Sequence, residues 1–156
     1  MFAPTVEVRQ ARPEDAESVD SLYRQLLGSA HHRVLPEQIQ ELQGGENALL
    51  LVAEVAGVVC GTLLVSLCAD VMFSRQPFAV IENVVVDQGS RKCGVGAAML
   101  KQAESFCRHS QCSKMMLLSS NGRAEAHRFF ESQGFDSSVK RGFVKYRRDF
   151  NVESAR

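Results

Sequence analysis

The chain of 156 residues is predicted to fold as one α/β (α+β) domain, with a mixed sheet that carries helices on its faces. Apolar, β-branched runs alternate along the chain with segments whose apolar residues recur at helical spacing. The resulting order, β-α-α-β-β-β-α-β-α-β, is typical of a layered sheet and helix architecture. The length suffices for one hydrophobic core and is too short for two ordinary domains, so we expect a single domain over residues 1–156.

The first strand and the first two helices are indicated by alternation, capping residues and turn residues. Residues 5–10 alternate as a strand does, and Pro13-Glu14-Asp15 then opens a helix with proline and acids in its first turn. An apolar stripe continues from there to Gly28. Residues 36–42 are predicted to form a second, short helix.

A hairpin follows, and shorter elements complete the second half of the chain. Residues 48–55 and 58–68 are two apolar runs joined by Ala56-Gly57, which is the signal of a tight antiparallel turn. We also expect a short strand at 114–119 and a helix that ends at Gly134. From residue 142 to 150 the pattern predicts a final strand. The five basic residues in and next to it either face an acidic acceptor or the cofactor, or keep a solvated edge strand from pairing with another chain.

The most informative stretch is residues 78–106, in which an apolar strand leads through a polar loop into a helix. The first N–H groups of a helix lack partners within it and, with the helix dipole, bind anions. Gly94 and Gly96 would let a ligand approach the main chain, and Arg91 and Lys92 add positive charge. The stretch therefore predicts a phosphate site.

Two other kinds of phosphate loop are excluded. Gly89 and Gly94 have the spacing of a P-loop, but Val95-Gly96 stands where that motif requires Lys followed by Ser or Thr. Gly94-Val95-Gly96 begins a dinucleotide fingerprint, but Met99 occupies the position of its third glycine. Neither nucleotide hydrolysis nor dinucleotide binding is expected.

The motif that does fit is Arg91-x-x-Gly94-x-Gly96, which resembles the (Gln/Arg)-x-x-Gly-x-(Gly/Ala) loop of the GCN5-related N-acetyltransferase (GNAT) superfamily. Downstream, residues 123–135 resemble the A-x-x-F-Y-x-x-x-G-F helix of the same superfamily. The resemblance covers roughly residues 5–148. It implies the GNAT fold with a mostly antiparallel central sheet, and acetyl-CoA as co-substrate without a metal.

The resemblance also implies which residues hold acetyl-CoA. The pantetheine arm would extend the sheet along Val84, Val85 and Val86, and the loop would hold the pyrophosphate. The family often uses an asparagine at the second motif helix; here Arg123 occupies that position and Asn121 lies two residues earlier, where it could instead cap the helix. The predicted cofactor-binding residues are Val84, Val85, Val86, Arg91, Lys92, Cys93, Gly94, Val95, Gly96, Ala97, Asn121 and Arg123.

The predicted catalytic residues are Glu82, whose role the resemblance implies, and Tyr146, which is a substitute for a tyrosine that this chain lacks. Glu82 interrupts the apolar strand where the family often has a carboxylate that removes a proton through water, and a structural glutamate, buried and hydrogen-bonded, is the alternative. The family's tyrosine, which protonates the departing thiolate, is replaced by Phe130, so Tyr146, Ser132 or water would have to substitute.

Acceptor binding is assigned to the loop between the first two helices, which usually lines the acceptor site in this family. His31 and His32 are therefore predicted to contact the substrate, with solvated loop histidines as the alternative. Eighteen basic and eighteen acidic residues balance, so neither nucleic acid nor a membrane is expected as partner. The expected partner is a small-molecule or peptide amine, and a homodimer is compatible with the resemblance.

The five cysteines have neither C-x-x-C nor Cys/His metal spacing, and no signal peptide or long apolar span precedes them. We therefore expect a reduced, cytoplasmic protein without a metal site. Cys93 lies in the basic loop, where it is either a reactive thiol or incidental. The predicted function is transfer of an acetyl group from acetyl-CoA to a primary amine, and the alternative is a CoA-binding sensor or interaction protein without turnover.

Overall fold

The structure of the protein, a computed structural model, describes residues 3–28 and 31–151. It consists of two compact units that divide between Leu117 and Leu118. The organisation of the chain as a single domain stays a prediction.

The first unit contains a five-stranded sheet in which neighbours in sequence are neighbours in space. The first three pairings are antiparallel and the last is parallel, so the predicted mixed, mostly antiparallel sheet is confirmed. The strands are β1 (Val6–Gln10), β2 (Ala48–Val55), β3 (Val58–Cys68), β4 (Phe78–Val86) and β5 (Met115–Leu117), and the helices are α1 (Ala16–Leu27), α2 (Pro36–Gly44) and α3 (Val95–His109).

Helix α1 begins after a 3-10 turn at Pro13–Asp15, one turn later than the sequence pattern indicates. The buried carboxylate of Asp15 accepts hydrogen bonds from the Arg9 guanidinium at 2.7 and 2.9 Å and from the Arg12 backbone N–H at 2.7 Å. These bonds hold the pKa of Asp15 below its ordinary value, because they favour the ionised carboxylate. Arg9 also pairs with Glu54, and it thereby ties β1, β2 and the start of α1 together.

Both faces of the sheet are covered, which explains why its central strands are apolar throughout. Leu50 and Val52 of β2 pack in one cluster with Val19 of α1 and Ile39 of α2. On the other face α3 approaches β3 so closely that a Cβ atom added at Gly61 would lie 2.9 Å from Val95 Cγ1. The first turn of α3 is therefore fixed by direct contact with the sheet.

The predicted hairpin is confirmed, because β2 and β3 pair across a two-residue turn. Ala56 and Gly57 have φ angles of 51° and 75°, and both thus adopt the left-handed conformation that a type I′ turn requires. The predicted short strand at 114–119 is present as the three residues of β5.

The second unit contains helix α4 (Ala124–Ser132), and Gly134 follows with a φ of 91°, as the predicted glycine stop requires. The predicted strand over 142–150 was wrong. That segment contains only a 3-10 turn at Arg147–Asp149, and Phe143 and Tyr146 are exposed. The alternating pattern is present, but a strand also needs a hydrogen-bonded neighbour, and residues 118–151 contain no strand to supply one.

Candidate active site

A β-bulge in β4 sets the geometry of the site. Leu64 of β3 lies opposite Glu82, whereas Thr62 lies opposite Val85, so β4 has one more residue than β3 in this interval. Asn83 absorbs the extra residue with a φ of 56°. Bulges increase the local twist and re-aim side chains, and they occur frequently next to active sites.

The other edge of β4 is open from the bulge onward. Strand β5 pairs only with Ala79, Val80 and Ile81, and no second strand continues along Glu82–Val86 in the part of the chain that the structure describes. The main chain of residues 84–86 on this edge is therefore available to a ligand that hydrogen-bonds like a strand. Val85 is buried, and Val84 and Val86 are half-buried.

The open edge leads directly into the loop before α3. A short 3-10 turn follows Asp87, whose carboxylate accepts hydrogen bonds from Gly89 N–H at 2.9 Å and from the Gln25 amide of α1 at 2.7 Å. The side-chain oxygen Oε1 of Gln25 in turn accepts a hydrogen bond from the Gln88 backbone N–H at 3.1 Å. Helix α1 thus holds the start of the loop in place.

The loop ends in an anion-binding geometry at the N-terminus of α3. Gly94 precedes the helix with a φ of 80°, and its carbonyl accepts the hydrogen bond of Ala98 N–H at 3.0 Å. The N–H groups of Val95, Gly96 and Ala97 therefore have no acceptor within the helix. Nothing lies within 4 Å of a Cβ atom added at Gly94, so glycine is required here for backbone conformation rather than for lack of space in the protein.

The basic and thiol side chains of the loop are exposed. Arg91 donates from Nε to the Val86 carbonyl at 3.2 Å, which turns it back along the end of β4. Lys92 has a φ of 61°, and Cys93 contacts the Arg91 carbonyl through Sγ at 3.5 Å. Arg91 and Lys92 therefore place positive charge in the loop that leads into α3, as an anion site requires.

Glu82 is exposed, which does not agree with the alternative of a buried, hydrogen-bonded structural glutamate. It lies at the bulge, where the strand loses its second neighbour, and solvent reaches it there. No hydrogen bond or ion pair joins the Glu82 side chain to any of the described residues. A structural role for Glu82 therefore has no hydrogen bond or burial to support it. The position of Glu82 beside the open edge of β4 agrees with that expected of a base that acts through water.

A pocket of about 330 Å³ lies between α1, the segment leading into α2, and the sheet. It reaches β4 at Asn83, whose side chain hydrogen-bonds with Tyr23 of α1. Burial raises the pKa of Tyr23, and this hydrogen bond partly opposes the rise. Neither residue was predicted to belong to the site: Tyr23 stands within the apolar stripe of the first helix, and Asn83 within the apolar run of residues 78–86. A residue with low β propensity inside an apolar strand was the available signal.

His31 and His32 differ in their surroundings. His31 is exposed, whereas the His32 side chain is 12% exposed and lines the pocket. The Nε2 atom of His32 lies 3.0 Å from the Asp20 carbonyl, which can only accept, so Nε2 carries the proton. The Asp20 carboxylate also accepts from Val34 N–H at 3.1 Å. The solvated-loop alternative therefore fails for His32, which anchors the loop to α1.

The remaining predicted site residues lie in the second unit and are exposed. Asn121 does not cap α4, because the N-cap is Arg123, whose carbonyl accepts from His127 N–H at 3.0 Å. Tyr146 stacks under the Arg148 guanidinium, 4.8 Å from its ring centroid. Phe130 is buried, with the rings of Phe129 and Phe135 at 5.4 and 6.2 Å.

Comparison with known proteins decides the family. The sequence model described as "Acetyltransferase (GNAT) family" matches residues 16–135, which include both motifs. The chain belongs to the GNAT acetyltransferase family. The GNAT match includes the open edge of β4, the loop and the N-terminus of α3.

The chain aligns with solved structures of the same fold over nearly the whole length of each of them. Glucosamine-6-phosphate N-acetyltransferase from Arabidopsis thaliana aligns with a TM-score of 0.77 at 22% identity, over 92% of this chain and 99% of that one. A transcriptional regulator from Bacillus halodurans C-125 gives 0.79 at 24% identity, over 91% and 100%. AAC(6')-Iy, in complex with a bisubstrate analogue containing CoA, gives 0.77 at 18% identity, over 92% and 99%. At these identities the likeness shows the GNAT fold alone.

Three further features of the described residues concern metals, membranes and thiols. Within residues 3–28 and 31–151, no group of three His, Cys, Asp or Glu side chains could hold a metal ion. None of the described helices is both long and apolar enough to cross a membrane. Among the thiols, burial raises the pKa of Cys107 to about 12 and also raises that of Cys60, so both are poor nucleophiles.

Proposed function

We propose that this GNAT protein transfers an acetyl group from acetyl-CoA to a primary amine of a small molecule or peptide. The observation that carries the proposal is the continuity between the open edge of β4 and the free N–H groups of α3. In this proposal the main chain of Val84, Val85 and Val86 holds the pantetheine arm, and residues 91–97 hold the pyrophosphate. Asn121 and Arg123 are proposed as further contacts, and a cytoplasmic, homodimeric protein as its setting.

The reaction needs an amine that has lost its proton. The neutral amine attacks the thioester carbonyl, the C–N bond forms, the C–S bond breaks, and CoA leaves as a thiolate. We assign removal of the amine proton to Glu82 acting through water, since its carboxylate is exposed at the bulge. A thiolate with a pKa near 8.5 leaves without strong acid assistance, so protonation by Tyr146 or by water suffices.

The test of cofactor binding is calorimetry with acetyl-CoA. We expect an affinity in the micromolar range typical of enzyme substrates, and Gly94→Glu should abolish it because a carboxylate would occupy the anion site. Gly57→Glu is the matched control: its φ of 75° and open surroundings resemble those of Gly94, but it lies in the β2–β3 turn. Unchanged affinity in Gly94→Glu would overturn the proposal.

One observation favours a second candidate, a GNAT protein that binds CoA but does not catalyse transfer. Phe130 occupies the position of the family's tyrosine, and it supplies no proton because it has no hydroxyl. Its ring is buried among aromatic rings. Measuring CoA release from acetyl-CoA against a panel of amines separates the two candidates. Tight acetyl-CoA binding with no turnover on any amine would favour the second.

A further inference from the structure

A matched set of hydrogen bonds joins the side chain of Gln25 in α1 to the start of the loop before α3. Gln25 Nε2 donates to Asp87 Oδ1 at 2.7 Å, and Gln25 Oε1 accepts from Gln88 N–H at 3.1 Å. The other carboxylate oxygen, Asp87 Oδ2, accepts from Gly89 N–H at 2.9 Å. Three donors thus meet three acceptors, and we call this set the Gln25 network. Gln25 and Asp87 are 62 positions apart in sequence, so the network is a tertiary contact and not a local turn.

The network connects two parts of the fold that are themselves well fixed. Val19 and Leu22 of α1 are buried in the core, and Gln25 lies in the last turn of the same helix with its side chain exposed. On the loop side, Asp87 N–H donates to the Cys60 carbonyl of β3 at 2.8 Å. Sites that are supported by helices and strands are held more precisely than sites on loops alone. The Gln25 network therefore gives the first residues of the loop a defined position.

The network also determines which backbone N–H groups remain for an anion. Those of Gln88 and Gly89 donate within the network, and that of Ser90 donates to the Asp87 carbonyl at 2.9 Å. The N–H groups of residues 95–97, in contrast, have no acceptor within α3. An anion therefore finds its donors at the α3 end of the loop and not at the β4 end.

The presence of a carboxylate at position 87 is explained by the network and not by charge. Asp87 places a negative charge in the loop that is proposed to hold a pyrophosphate, and like charges repel each other. Charge alone would therefore favour a neutral residue. Only a carboxylate, however, offers one accepting oxygen to Gln25 Nε2 and another to Gly89 N–H, because an asparagine has a single accepting oxygen.

We infer that Gln25 is a positioning residue for acetyl-CoA, which acts through Asp87 on the loop and not on the reacting atoms. The inference rests on the proposed function, because it takes the ligand of the loop to be the pyrophosphate of acetyl-CoA. Without the network the start of the loop is less ordered in the free protein. Acetyl-CoA then has to order it on binding, which weakens the affinity.

The first test is Gln25→Leu, which keeps the approximate size of the side chain and removes both of its hydrogen bonds. Calorimetry should show a Kd for acetyl-CoA that is about 2- to 12-fold higher than that of the wild type. Gln40→Leu is the matched control, since Gln40 is exposed on α2 and its side chain makes no hydrogen bond to any residue that the structure describes. The control should bind acetyl-CoA as the wild type does.

The second test exchanges the amide and the carboxylate. Asp87→Asn alone leaves four N–H donors for two accepting oxygens, and Gln25→Glu alone leaves two N–H donors for four oxygens. The double variant restores three donors and three acceptors, because the new amide at position 87 can donate to the new carboxylate at position 25. Each single variant should raise the Kd at least about fivefold, and the double variant should return it to within about twofold of the wild type.

The outcomes separate the inference from the proposed function. An unchanged Kd in folded Gln25→Leu, tighter binding by Asp87→Asn as charge alone predicts, or a double variant as weak as the product of the two single effects would overturn the inference and leave the acetyltransferase proposal intact. Absence of acetyl-CoA binding by the wild-type protein would refute the proposed function and the inference with it. Melting curves establish that each variant is folded, and if Gln25→Leu does not fold, the exchange of the two groups decides alone.

Discussion

Replacing Gly61 by alanine tests whether contact with β3 positions the N-terminus of α3, the proposed anion site. The added Cβ atom would lie 2.9 Å from Val95 Cγ1 and 3.0 Å from Met99 Cε, whereas carbon atoms normally approach to about 3.5–4.0 Å. Val95 and Met99 are 1% and 0% exposed, so neither side chain has free space in which to turn away. The first turn of α3 must therefore move by roughly half an ångström or more.

The magnitude follows from this overlap. Overpacking of a well-packed core costs about 1–3 kcal/mol, which corresponds to a fall in Tm of about 2–12 °C for a chain of this size. The shift also displaces the N–H of Val95, one of the groups proposed to hold the pyrophosphate. Loss of one such hydrogen bond, worth about 0.5–1.5 kcal/mol, would raise the Kd for acetyl-CoA about 2- to 12-fold.

Calorimetric melting and titration with acetyl-CoA measure both effects. Gly45→Ala is the control, because its φ is −91° and its new Cβ would meet nothing closer than 3.6 Å. That variant should keep its affinity and melt at the wild-type temperature or slightly higher, since alanine restricts the unfolded chain. If Gly61→Ala melts with the wild type and binds acetyl-CoA equally well, packing on β3 does not position the anion site.

Three further changes test single groups. Glu82→Gln should lower turnover by about 10²–10⁴ with little change in acetyl-CoA affinity, as removal of a general base does; wild-type rates across a pH series would leave Glu82 without a catalytic role. Phe130→Tyr should lower Tm, because it buries a new hydroxyl at a cost of about 1–3 kcal/mol, and a raised kcat would instead place this position at the leaving group. Asp15→Asn should be less stable than the wild type in urea at pH 7. The difference should shrink below about pH 4, because the lowered pKa of Asp15 stabilises the fold only while the carboxylate is ionised.

The local elements could be predicted because their signals are local. The apolar stripe of α3 is set by helical spacing, and its members Val95, Met99 and Ala103 are buried. The β2–β3 turn is set by two residues, Ala56 and Gly57, which adopt the required conformation by themselves. The conformation of the loop before α3 belongs to the same group, since Gly94 and the N-terminus of α3 are adjacent in sequence.

Features that depend on partners distant in sequence could not be predicted. The segment 142–150 has the alternation of a strand but forms none, because alternation describes side chains and not the neighbour that must supply hydrogen bonds. Likewise, Tyr23 and Asn83 are sixty residues apart, and only the folded chain brings the phenol and the amide together. His32 looked like a loop histidine because its partner, Asp20, lies on the polar side of the α1 pattern.

The exposure of Glu82 explains how an apolar central strand can contain a carboxylate without the desolvation cost of burying a charge. Before the bulge, β4 has neighbours on both edges, and Ala79 and Ile81 are 0% and 1% exposed. The positive φ of Asn83 inserts one residue and increases the twist, so a parallel partner cannot stay in register beyond it. Strand β5 accordingly ends opposite Ile81, and the next residue of β4 is solvated.

The same bulge thus exposes the carboxylate, frees the main chain of residues 84–86, and brings Asn83 to the pocket. A single substitution that removed it, such as Asn83→Val, should therefore impair acetyl-CoA binding and amine binding together, whereas loss of only one would show that the two sites are set independently.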